Sequence, residues 1–373
     1  MLRHIHRKIR LIRSISATGL TAFHGRRESA RVHPNVLLPL ASSAVSFAFA
    51  ALVFSQWTQR RRSFQLVWAL GLLWYGISAG TEFWGSAFGW SEPLYRAWYL
   101  IGALFVAAYL GMGTVYLLAR TRFGYFAATT IFVGGLFAIL SQARLVREGQ
   151  PAPESAVVLV IAFATVAAVV IAFVTWRRRE LVGHVTMAFL VIASLAVTVL
   201  VLTATIAAPG YALDPETGVP IGAAIPGHIR VLSGPFNIAG AFTLVFGALF
   251  SAYVFMPKRK LLRGRRLPAV LAQVYGAIAI VINMLASLPL AATALARGQL
   301  HSRVPATLLI ALGGFIPGIT SGLNRFGMTW SFFLGELLGV LLIFIGFIVS
   351  TEVFSARIRI GPLRIGRREV TTL

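Results

Sequence analysis

Apolar stretches of about twenty residues recur along the chain, separated by short polar connections rich in arginine. At 1.5 Å per residue, a helix of that length crosses a hydrocarbon core of roughly 30 Å. The pattern predicts spans at residues 35–57, 64–87, 95–119, 123–141, 156–176, 184–207, 235–256, 268–296, 305–323 and 330–354. In lipid every backbone N–H and C=O must find a partner inside the protein, which helices provide and open strands do not. The expected fold is therefore all-α: a polytopic transmembrane helical bundle of about ten spans, with nine as the alternative. Three regions follow from it: a basic amphipathic N-terminal segment (1–34), a transmembrane helical domain (35–354) and a basic C-terminal tail (355–373).

Composition supports lipid as the main solvent. Of the 373 residues 57% are hydrophobic and only 12% charged, far from the balance of a water-soluble domain. The absence of cysteine excludes disulfides, thiolate-held metals, iron–sulfur clusters and S-palmitoylation. A net charge of +23 would suggest nucleic acid in a soluble protein. Here the basic residues sit in short loops beside apolar spans, so no nucleic-acid partner is expected. Connections after the first, third, fifth and seventh spans carry fourteen basic residues, including Arg60, Arg61, Arg62, Arg120, Arg122, Arg177, Arg178 and Arg179, against four on the alternate side. The positive-inside rule makes the richer side cytoplasmic, and a multi-pass protein of the bacterial plasma membrane is expected. The longest internal connection, Ala208 to Gly234 with Asp214 and Glu216, then becomes an ordered external cap.

Both ends of the chain resist a simple count. The N-terminus alternates Leu2, Ile5, Ile9 and Ile12 with Arg and His, the pattern of a cationic helix lying on anionic headgroups. A targeting segment or an early translation start is the alternative. The tail is also basic, yet ten spans that start outside would finish outside. A re-entrant segment at 305–323, which contains Pro305 and Pro317, or a hairpin bent at Pro289 would return the tail to the cytoplasm. Anionic lipid headgroups are the partners expected at both basic termini.

Ionisable groups inside spans are costly in lipid, so Glu82 and Glu336 are the first functional candidates. Arg96 opens the helix after Glu82, and an ion pair between them at the outer interface is favoured over a proton relay. For Glu336 the nearest cation in sequence is Arg325. Aromatic residues crowd the region around Glu82, among them Trp74, Tyr75, Trp84, Trp90 and Trp98. Most fit an interfacial belt; the sharper expectation is an apolar-ligand pocket lined by Trp84 and Trp98, with Glu82 or Arg96 orienting a polar end. Asn237 and Asn283 read as helix–helix glue, with Asn283 also a candidate cavity-lining residue. Glycines four apart predict close helix packing: Gly76 with Gly80, Gly314 with Gly318 and Gly322, and Gly335 with Gly339. Those last two spans are expected to pack together or to offer these faces to a partner membrane subunit.

No lysine lies inside a span for a Schiff base, and only His184 touches one, which denies haem a pair of axial ligands. Neither a phosphate-binding glycine loop nor a serine nucleophile elbow is found. No catalytic residue, metal or cofactor is expected, and the reading leans away from an enzyme.

The stretches WYLIGALFVAAYLGMGTVYLLAR, Trp98 to Arg120, and FNIAGAFTLVFGALFSAYVF, Phe236 to Phe255, resemble uncharacterised bacterial multi-spanning proteins. They are more loosely similar to the seven-helix membrane sensor regions of bacterial histidine kinases, although no kinase domain accompanies them. The resemblance carries no activity over; the absence of catalytic constellations and the glycine faces lead instead to the expectation of a non-catalytic membrane module, a structural subunit or a ligand-sensing component, holding a lipid or apolar ligand near the outer face. A secondary transporter of a small solute is the alternative, with Pro289 and the region from Gly314 to Pro317 as its nearest signature of broken helices.

Overall fold

The computed structural model describes residues 34–263, 269–324, 330–350, 358–360 and 363–365, and the N-terminal segment 1–33 and Arg325 lie outside them. The helices are α1 (Pro34–Arg60), α2 (Ser63–Phe88), α3 (Glu92–Leu118), α4 (Phe123–Arg147), α5 (Glu154–Arg177), α6 (Val182–Thr203), the single turn α7 (Gly227–Arg230), α8 (Ser233–Phe255), α9 (Ala269–Ala296), α10 (Arg303–Asn324) and α11 (Trp330–Val349). In the tail two three-residue strands pair antiparallel, with Ile358 opposite Ile365. The protein is thus an all-α, polytopic helical bundle of the multi-pass membrane type. Leu159, Val166, Val169, Ile192, Leu195 and Val199 point outward from α5 and α6, as lipid-facing side chains do.

Among the described residues nine helices are long and apolar enough to cross a membrane. That set includes α9 and omits α2, whose tryptophans, glycines and Glu82 lower its hydropathy. Yet α2 is a central helix: twelve of its 26 residues are buried, because it packs between α1 and α3 and needs little lipid-facing surface.

The chain path orders the helix ends. Val304, near the start of α10, clusters with Ala252 and Met256 at the end of α8, while Gly314 packs on Leu244 and Val245. So α10 begins at the end of the bundle where α8 stops, and α9 makes no net crossing between them. The segment after α8 runs back along α9. The Arg259 N–H donates to Ser287 Oγ at 2.9 Å, the Leu261 and Leu262 N–H groups donate to Asn283 Oδ1 at 2.8 and 2.9 Å, and the Tyr275 hydroxyl donates to the Arg263 carbonyl at 2.8 Å. Ile278–Ala296 within α9 is long and apolar enough to span, as the sequence predicts for 268–296, but the chain path returns α10 to the end of the bundle where α8 stops. The return is not a bend at Pro289, since α9 is continuous through it, and α10 is likewise continuous through Pro317. Nine helices then run from end to end of the bundle: α1 to α6, α8, α10 and α11. Val349 then lies at the basic end of the bundle, where the arginine-rich tail begins.

The opposite end carries the cap. Leu213 and Pro220 form a bridge across a turn in which Asp214 Oδ1 accepts from the N–H of Glu216 and Thr217 and from the Thr217 hydroxyl. Val219, Ile225, Ile229 and Val231 are fully buried beneath it. Arg230 fixes the cap to the end of α4, donating to Glu148 at 2.6 Å and Gln150 at 3.0 Å. Asn35, at the start of α1, donates to the Thr217 carbonyl at 2.8 Å, which places the N-terminus of α1 at this end.

Candidate functional site

Three helices bring polar groups together near the cap end. Tyr75 and Glu82 are seven residues apart on α2 and share one face of that helix. Glu82 is 1% exposed. Its Oε1 accepts the indole N–H of Trp98 from α3 at 2.8 Å. Glu336, one and a half turns into α11, lies within side-chain hydrogen-bond reach of Glu82, and the Tyr75 hydroxyl donates to the Glu336 backbone carbonyl at 2.8 Å. Each carboxyl keeps a buried Oε2 with no donor from the described residues. Two ionised carboxylates placed so would repel each other. Neither carboxyl forms an ion pair among the described residues.

Local chemistry explains the placement. Trp98 is set by the first turns of α3, whose next turn, Ile101 to Phe105, is π-helical. Such a bulge frees a carbonyl, and Asn237 of α8 donates to Ala103 O at 2.7 Å there. On the far side of α2, the Ser43 hydroxyl of α1 donates to Gly76 O at 2.8 Å, and a methyl at Gly80 would come within 3.2 Å of Ser43 Oγ. Small residues therefore bring α1 and α2 close enough for the buried serine face Ser42, Ser43 and Ser46 to pack against α2.

The expected Glu82–Arg96 ion pair does not form. Arg96 points away from Glu82, pairs with Glu92 at 2.6 Å, and donates to the carbonyls of Val201, Leu202 and Ala204 at the end of α6. A helix C-terminus leaves unpaired carbonyls with partial negative charge, and these outcompete a carboxyl that already holds an indole N–H. Trp84, the other aromatic candidate, is 56% exposed and faces outward, whereas Trp98 is buried. The rings around Glu82 pack on one another, with Trp98 centred 5.4 Å from Tyr95 and 6.2 Å from Trp90. Asn283 holds the chain after α8 and lines neither of the two cavities that flank the core. In the last hairpin a methyl at Gly339 would lie 2.6 Å from Pro317, and one at Gly335 would meet Thr320, so both glycines serve the α10–α11 contact. Gly314 faces α8 instead, Gly318 faces open space, and the surroundings of Gly322 lie outside the described residues.

One cavity, of about 430 Å³ at the cap end, is lined by Asn35, Ser86, Trp90, Tyr211 and Thr217 among others. Ser86 stands one turn beyond Glu82 on α2, and both Ser86 Oγ and Trp90 Nε1 lack a partner among the described residues. The other, of about 410 Å³, is almost wholly apolar and lies between α3, α4, α5, α6 and α8. Tyr75 and Ser86 were absent from the sequence's first candidates, although the seven- and four-residue spacings from Glu82 place them on its side of α2. Among the described residues no cluster of acidic and histidine side chains could hold a metal. The chain matches no protein-family model, no curated protein and no solved structure.

Proposed function

We propose that this chain is a non-catalytic, proton-responsive membrane module, a sensing component in which Glu82 and Glu336 share one exchangeable proton. The carrying observation is the carboxyl pair itself, which joins α2 to α11 across more than half the sequence. With the proton in place the pair is a hydrogen bond; with both groups ionised it is a repulsion in a low-dielectric interior. Proton release therefore loosens the α10–α11 hairpin from α1 and α2, and uptake draws it back. Tyr75 from α2 and Trp98 from α3 flank the pair, and neither brings a cation. The cap-end cavity reaches Ser86, one turn from Glu82 on α2.

Infrared difference spectra of the purified chain test this reading. A protonated-carboxyl C=O band is expected near neutral pH, and Glu82→Gln and Glu336→Gln should each remove it. A band unchanged in both variants defeats the proposal. Secondary transport is the second reading, favoured by the cap-end cavity, while the unbroken α9 and α10 count against it. In proteoliposomes, collapse of an imposed pH gradient that Glu82→Gln abolishes would select transport over sensing.

A further inference from the structure

The apolar cavity has a polar feature that its lining does not satisfy. Thr186 Oγ1 is buried against the cavity and has no hydrogen-bond partner among the described residues, although a helical threonine ordinarily bonds the carbonyl one turn back. The residue is 6% exposed. On α6 the lining runs from Thr186 to Leu200, about 21 Å at 1.5 Å per residue, so the space is a slot parallel to the helices. Its walls include Val115, Ala127, Ala164 and Ala193, with no charged side chain. Thr186 stands one turn inside the basic end of α6.

Charge completes the site. The α3–α4 turn carries Arg120 and Arg122, and the α5–α6 turn carries Arg178 and Arg179, all four exposed. These turns touch: a methyl at Gly124 would lie 3.0 Å from Val182 and would also meet Thr175. Four arginines thus flank the end of the slot at which Thr186 lies.

We infer that the slot binds one anionic phospholipid from the leaflet at the basic end. Its phosphate meets Arg120, Arg122, Arg178 and Arg179, an ester oxygen accepts from the Thr186 hydroxyl, and one acyl chain fills the slot toward Leu200. A flat ring system would not follow so long a channel, and a free phosphate has no use for an apolar one. The inference does not depend on the carboxyl pair.

Native mass spectrometry of the full chain, delipidated and then mixed with equal phosphatidylglycerol and phosphatidylcholine, tests it. Wild type should retain one phosphatidylglycerol. Ala193→Phe, which fills the slot, should lose it. Thr186→Val keeps the shape and should weaken retention roughly fivefold, the worth of one buried hydrogen bond at about 1 kcal/mol. Arg178→Gln with Arg179→Gln should equalise the two lipids while still holding one. Undiminished phosphatidylglycerol on Ala193→Phe, or on Thr186→Val should the larger residue prevent folding, overturns the inference. Equal retention of both lipids by wild type overturns it too.

Discussion

Trp98 on α3 donates its indole N–H to Glu82 on α2 at 2.8 Å, and the same carboxyl lies within hydrogen-bond reach of Glu336 on α11. One buried side chain therefore joins the middle of the bundle to its last hairpin. Trp98→Phe keeps the packing with Tyr95 and Trp90 but removes the donor. The variant should lose about 1 to 3 kcal/mol, the cost of a buried hydrogen bond to a charged or proton-sharing carboxyl, read as a lower melting temperature in detergent. Unchanged melting would mean that the indole does not hold Glu82.

The two carboxyls should behave as one unit. Removing either alone leaves the other buried with no partner for its Oε2, whereas removing both leaves nothing to satisfy. The effects of Glu82→Leu and Glu336→Leu on stability should therefore fall short of additivity by more than about 0.5 kcal/mol in a double-mutant cycle. The sign with pH follows from the chemistry. The pair bonds while it holds a proton and repels when both groups ionise, so wild-type melting temperature should fall as pH rises and the double variant's should not. Additive losses, or a double variant with the same pH slope, would separate the two groups.

Arg96 has a different task, and its variants should show it. It joins the start of α3 to the last carbonyls of α6 through a fork of donors that also reaches Glu92. Arg96→Gln should destabilise by about 1 to 3 kcal/mol, and Arg96→Lys should rescue little, because one ammonium cannot span three carbonyls and a carboxylate. Neither change should touch the protonated-carboxyl band of Glu82 and Glu336. A band shifted by Arg96→Gln would restore the discarded ion pair.

Glycine spacing separates packing positions from bystanders only when partner helices are known. Gly339 lies against Pro317 and the Gly313 carbonyl, so Gly339→Ala should cost about 1 to 3 kcal/mol by forcing α10 and α11 apart. Gly318→Ala meets open space and should be neutral or slightly stabilising through helix propensity. Equal melting of the two variants would remove Gly339 from the hairpin contact.

The sequence carried the helices and their charge alternation because apolar length and arginine position are local properties. The span at 64–87 was legible too, although the tryptophans, glycines and Glu82 of α2 lower its hydropathy below that of the other spans. Tyr75, Ser86 and Glu82 were legible as one helix face. Glu336 was legible as a costly group, but not as the partner of Glu82, because nothing in either span specifies which distant helix it meets. Arg96 was assigned to the wrong partner for a related reason. The carbonyls at the end of α6 that bind it are backbone atoms, which leave no mark on residue identity.

The path of α9 offers the sharpest check of the architecture, and a chain without cysteine is well suited to it. The single substitutions Thr217→Cys, Lys258→Cys and Gln299→Cys can each be labelled in sealed vesicles with a thiol reagent that does not cross lipid. Strict alternation through 268–296 would put Gln299, just beyond α9, on the side of Thr217. The contacts of Val304 with Ala252 and Met256 put it instead with Lys258, at the basic end. Labelling of the Lys258→Cys and Gln299→Cys variants from one side, and of Thr217→Cys from the other, is therefore expected. If Gln299→Cys is labelled from the same side as Thr217→Cys, then α9 crosses the membrane and the count of nine crossings is wrong.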